Sequence, residues 1–149
     1  MLSPHEILEL AVKVEEAGVS FYRELAENVD DESKRSLFRY LSKQEDGHAE
    51  TFKFLLRKFE EESLELINWD DSRAYVEDLA NGSVFSRSLH DSMSNSDYQK
   101  IISLAIEAEK KSIAFYESIQ KNARFTTADA LKRIIKEENN HIELLKGMM

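Results

Sequence analysis

Residues 44–51 read QEDGHAET. Glu45 stands three places before His48, and Asp46 and Gly47 between them are both poor helix formers. The flanks, RYLSK and TFKFLLRKF, are patterned as helix, with Leu41 and Phe52 on one apolar stripe. A Glu and a His at this spacing leave the same face of a helix. Here that face is the apolar one, so a carboxylate and an imidazole point toward a core.

The same signature returns ninety-three residues later. LSKQEDGHAETF (41–52) aligns without gaps on IIKEENNHIELL (134–145), matching Glu45 with Glu138 and His48 with His141. A second pair of segments aligns as well: LAVKVEEAGVSFYRELAEN (10–28) on LAIEAEKKSIAFYESIQKN (104–122). Identities there include Ala11/Ala105, Glu15/Glu109, Phe21/Phe115, Tyr22/Tyr116 and Asn28/Asn122. Shared amphipathicity accounts for the apolar matches. It does not place Glu and His at equivalent points within the stripes, and an internal repeat does.

The chain folds as four long helices on this reading. Ser3-Pro4-His5-Glu6 reads as a helix start, followed by a stripe of Ile7, Ala11, Val14, Tyr22, Leu25 and Val29. Asn28 to Asp31 interrupts it and caps a second helix, about 32–61, with Leu37, Leu41, Phe52, Leu55, Leu56 and Phe59 inward. A third begins after Asn95-Ser96 and carries Ile102, Ala105, Ala108, Ile113, Tyr116 and Ile119. A fourth follows Thr126-Thr127, carries Leu131, Ile134, Leu145 and Met148, and stops at Gly147. Between the pairs, at about 62–95, lies a crossover with Trp69 and a short helix from Asp71 to Ala80 ended by Asn81-Gly82. The expected architecture for 1–149 is therefore one all-α domain, a ferritin-like four-helix bundle with a long connection between helices 2 and 3.

Composition agrees. Of 149 residues 42% are hydrophobic, enough for one sizeable core, while four Gly and one Pro allow few sharp turns. A net charge of −9 argues against nucleic acid or an anionic membrane surface as partner. There are no cysteines, which rules out disulfides, thiolate catalysis and Cys-held metals. MLSPHEILEL lacks the basic start and apolar stretch of a signal peptide, and no apolar run approaches a membrane span. A cytoplasmic protein is expected.

Glu15, Glu45, His48, Glu109, Glu138 and His141 all fall on core-facing stripes. An unpaired buried carboxylate costs several kcal/mol, and no Lys or Arg lies on the same stripes. Two divalent cations would balance four carboxylates, and neutral imidazoles would complete the donor sets. Surface helices often carry a lone Glu-x-x-His; here two of only four histidines have it, in matched repeats. His5 and His90 have no such context and are expected at the surface.

AVKVEEAGVSFY, AIEAEKKSIAFY, EDGH and ENNH together resemble the rubrerythrin-like di-iron carboxylate proteins of the ferritin-like superfamily, over all four helices. The resemblance implies Glu15 and Glu109 as terminal metal ligands, Glu45 and Glu138 as bridges, and His48 and His141 each completing one metal. Tyr22 and Tyr116 lie two turns after a terminal Glu and lean back toward it, so their hydroxyls are expected to support ligand carboxylates; the alternative is plain core filling. The cofactor implied is two iron ions, with manganese the alternative. The activity implied is reduction of hydrogen peroxide or dioxygen by Fe(II), a response to oxidative stress, reset by an external electron donor. The alternatives are ferroxidase-type or non-catalytic iron handling, and a bundle that metals only stabilise. A homodimer is expected by the same analogy.

Two features depart from the family pattern. Ser112 stands where rubrerythrins carry a further carboxylate, and its repeat counterpart is Gly18. These small residues are expected to leave room for a small oxidant. Without cysteine, the chain cannot hold a rubredoxin-type iron.

Overall fold

The computed structural model describes residues 4–58, 98–121, 123 and 125–149. They form four helices: α1 (Pro4–Asn28), α2 (Glu32–Lys58), α3 (Tyr98–Gln120) and α4 (Phe125–Lys146). Asp31 caps α2, its carboxylate accepting the Lys34 N–H at 2.9 Å and its carbonyl the Arg35 N–H at 2.9 Å. Arg57 and Lys58 in the last turn of α2 suit the negative end of its dipole. Gly147 follows α4 directly, and its N–H bonds the Glu143 carbonyl at 3.1 Å. α4 begins at Phe125, ahead of the expected Thr126-Thr127 start. Thr127 is buried and lies inside the first turn.

Side-chain contacts fix the directions of the helices. Ser42 Oγ donates to the Val19 carbonyl at 2.9 Å, Lys53 pairs with Glu16 at 3.4 Å, and Arg35 donates to the Val29 carbonyl at 2.9 Å. Numbers rise along α2 as they fall along α1, so the two form an antiparallel hairpin. Between hairpins, Tyr22 meets Glu109 and Tyr116 meets Glu15, while His48 meets Glu138 and His141 meets Glu45. α1 therefore runs antiparallel to α3, and α2 to α4. The two repeat halves face one another about a pseudo-two-fold axis.

The core follows the expected stripes. Ile7, Ala11, Val14, Tyr22, Leu25, Leu41, Phe52, Leu55, Ile102, Ala105, Ile113, Tyr116, Ile119, Leu131, Ile134 and Leu145 are buried. In α2 the fully buried residue near the start is Phe38, with Leu37 packed at its margin. The wider stripe of a core helix admits either position, and the larger ring takes the inner one. Among the described residues no helix is long and apolar enough to cross a membrane. Ser3, Phe59 and the expected end of helix 2, the crossover with Trp69, its short helix and His90, and the Asn95-Ser96 start lie outside the described residues.

Candidate metal centre

Among the described residues eight polar or charged ones are buried, and six of them are the expected cluster: Glu15, Glu45, His48, Glu109, Glu138 and His141. Each hairpin contributes one Glu from its first helix and a Glu–His pair from its second. Because the pair is one turn apart, both side chains enter the same space.

The cluster closes across the hairpins. His48 Nδ1 lies 2.7 Å from Glu138 Oε1 and 3.6 Å from Glu15 Oε2. His141 Nδ1 lies 3.2 Å from Glu45 Oε1 and 3.7 Å from both Glu109 Oε1 and Glu138 Oε1. The two imidazoles stack with centroids 5.9 Å apart and planes 19° apart. Two sets of four donor atoms result, each set mutually within 4.8 Å: Glu15, Glu45, His48 and Glu138, and Glu45, Glu109, Glu138 and His141. Glu45 and Glu138 belong to both.

Two tyrosines brace this arrangement from outside. Tyr22 donates to Glu109 Oε1 at 2.7 Å, and Tyr116 donates to Glu15 Oε1 at 2.7 Å. Each hydroxyl thus reaches the carboxylate of the other half, not the one on its own helix. Each leaves the second oxygen of its carboxylate, Oε2, buried and without a hydrogen bond. Glu138 Oε1 and His48 Nδ1 are likewise without a well-aligned hydrogen bond, although they lie close together.

Those orphan atoms decide what the cluster fits. A buried polar atom without a partner costs roughly 1–3 kcal/mol, and more when charged. Four such atoms converge here on one space, all of them acceptors if the imidazoles are neutral. With the carboxylates ionised and the imidazoles neutral, the set holds no donor for them; retained protons or bound cations must supply the positive charge. Oxygen and imidazole donors in this mixture suit iron, manganese or zinc. The residues present fit a pair of divalent ions.

The electrostatics carry the same strain. Burial, followed by the charge of Glu109, pushes Glu45 and Glu138 well above the ordinary carboxylate range. Burial pushes the His48 imidazole down, but hydrogen bonds with Glu138 and Glu15 outweigh it and hold it at about 11. Burial also pushes Glu109 up, and hydrogen bonds with Glu138 and His141 reverse this to about 2. Tyr22 and Tyr116 are pushed well up, first by burial and then by Glu109 and Glu15 respectively. The cluster retains protons where a cation would carry the positive charge.

Three further residues shape the site. A Cβ on Gly18 would lie 3.2 Å from Glu45 Cγ and 3.3 Å from its Cδ and Oε2. The room expected there for an oxidant is therefore filled by the Glu45 side chain. Ser112 is buried, and its hydroxyl donates to the Ala108 carbonyl of its own helix at 3.1 Å. Glu137 was not among the expected site residues, yet its Oε2 lies 2.5 Å from His48 Nε2. It sits on the flank of the α4 stripe, and only packing against α2 brings it to the histidine. His5, by contrast, is exposed as expected and pairs with Glu9 at 2.7 Å.

Comparison with known proteins agrees with this geometry. The family model described as Rubrerythrin matches residues 6–149. A crystal structure from Thermotoga maritima, described as that of a ferritin-like diiron-carboxylate protein, is similar at 25% identity and a TM-score of 0.69. The likeness covers 99% of this chain and 94% of that one. No curated protein matches the chain.

Proposed function

The chain belongs to the rubrerythrin family, and from that premise we propose that it is a di-iron oxidoreductase that reduces hydrogen peroxide or dioxygen. The observation that carries this reading is the pair of buried four-donor sets joined by Glu45 and Glu138. Glu15 and His48 would hold one ion and Glu109 and His141 the other, with Glu45 and Glu138 available to both. Iron bound there supplies two electrons from adjacent Fe(II) ions, enough to convert one peroxide and two protons to two waters.

The protein's part is positioning and exclusion. Tyr22 and Tyr116 hold Glu109 and Glu15 by one oxygen, so the other oxygen stays aimed inward. Phe52, Tyr116 and the aliphatic stripes around them keep bulk water from the carboxylates. Burial holds Glu45 and Glu138 above the ordinary carboxylate range in the metal-free fold, so metal loading would displace their protons. An external donor returns the electrons, and the cytoplasm offers both that donor and reduced iron. The runner-up is iron handling without turnover, which Ser112 favours by standing where the family has one more carboxylate.

Anaerobic loading with Fe(II) followed by rapid mixing with peroxide or dioxygen tests the proposal. Oxidation well ahead of free iron, repeated when a reductant is supplied, is the expected result. A single fast oxidation that no reductant renews supports iron handling. Oxidation no faster than free iron contradicts the oxidoreductase and leaves only non-catalytic iron binding.

A further inference from the structure

The two halves of the site present the same donors, but only one histidine has its far nitrogen engaged. His48 Nε2 is held by Glu137 Oε2 at 2.5 Å. His141 Nε2 is buried and has no hydrogen-bond partner among the described residues. The difference traces to one pair of repeat positions: Glu137 precedes Glu138, and the residue preceding Glu45 is Gln44.

From this asymmetry, which rests on the metal-binding reading above, we propose that Glu137 is a positioning residue that makes the two metal positions unequal. The position at Glu15 and His48 then fills before the one at Glu109 and His141. The chemistry is local. In the neutral ring that binds metal, an Nε2–H donated to a carboxylate fixes the tautomer, leaving the Nδ1 lone pair on the side of Glu15 and Glu138. The carboxylate also makes the ring a stronger donor, and loss of such a partner typically weakens metal binding 10–100-fold. His141 turns its Nδ1 inward in the same way, but no hydrogen bond among the described residues holds its Nε2. Glu137 has a side chain 36% exposed, so its replacement leaves the core intact.

The test uses Co(II), which reports binding through its visible spectrum and does not oxidise under these conditions. The whole metal-free chain is titrated anaerobically, as wild type, Glu137→Ala, Glu137→Gln and Gln44→Glu. Wild type is expected to bind two ions in unequal steps, with the first equivalent giving an anomalous peak among Glu15, Glu45, His48 and Glu138. Glu137→Ala should weaken that step by about 10–100-fold and move the first peak to Glu45, Glu109, Glu138 and His141. Glu137→Gln keeps an acceptor without charge and should fall between. Gln44→Glu should bring the two steps together. Two unequal steps in wild type that Glu137→Ala leaves unchanged, or weakens equally, overturn the proposal alone. A wild-type chain that takes up no ion at the cluster overturns it together with the metal reading.

Discussion

The hairpin of α1 and α2 and the hairpin of α3 and α4 deliver one donor set twice, yet the residues beside those donors differ. Glu15, Glu45 and His48 are matched by Glu109, Glu138 and His141. Gly18 is answered by Ser112, Gln44 by Glu137, and Asp46-Gly47 by Asn139-Asn140. The repeated donors suit two adjacent cations, which would need equivalent charge from both sides. The neighbours diverge because each answers a local demand: space for Glu45, a grip on His48, or nothing at all on the exposed side of a helix.

Breaking the shared pair should have the largest effect. Glu138→Gln removes a charge that both donor sets use, so uptake should fall from two ions to one or none. The same change relieves repulsion among buried carboxylates, so the metal-free Tm should hold or rise. Metal analysis alongside calorimetry checks both signs. A drop in metal-free Tm of several degrees would mean that Glu138 stabilises the bundle without a cation.

Next in size is a pH effect that both halves share. Glu45 and Glu138 are raised above 4.5, so the metal-free fold keeps protons that the unfolded chain has lost, and its stability falls as pH rises. His48, raised from 6.5 to about 11, acts in the same direction at higher pH. Glu109, lowered from 4.5 to about 2, contributes stability that is lost as pH falls between those values. A cation replaces the retained protons. The gain in Tm on metal loading should therefore widen between about pH 5 and 8. A gain that is flat or shrinks across that range counts against proton–metal exchange at the cluster.

Gly18 and Ser112 sharpen the contrast further. Gly18→Ala sets a methyl 3.2–3.3 Å from Glu45 and must move that carboxylate, which should weaken metal binding by about tenfold. Ser112→Ala removes only a bond to its own helix and should shift stability by less than about 0.5 kcal/mol, with metal affinity unchanged. Equal effects at the two positions would show that Glu45 does not need the space at Gly18. The smallest change is Gly47→Ala. Nothing lies within 4 Å of the added Cβ, so the helix should gain about 0.5–1 kcal/mol in denaturant melts, without effect on metal uptake.

Much of this was legible in the order of residues. The 3.6-residue period placed six polar groups on apolar stripes, and two matched copies made chance placement untenable. Both tyrosines were recognisable from their spacing, though not that each would serve the opposite half. That exchange follows from antiparallel packing, which no single helix encodes. Glu137 lies one residue outside the stripe, where most glutamates are solvated, and only the approach of α2 gives it a role. Gly18 was readable as small, but what fills its space is a side chain from another helix. Phe38 over Leu37, and the start of α4 at Phe125, turn on differences of one or two residues that periodicity does not resolve.

The central claim is that the buried carboxylates and imidazoles form a two-cation site. Crystals grown anaerobically with Fe(II) and measured on both sides of the iron absorption edge test it directly. Two anomalous peaks are predicted, one among Glu15, Glu45, His48 and Glu138, the other among Glu45, Glu109, Glu138 and His141. An empty cluster, or iron only at surface carboxylates, would contradict the account.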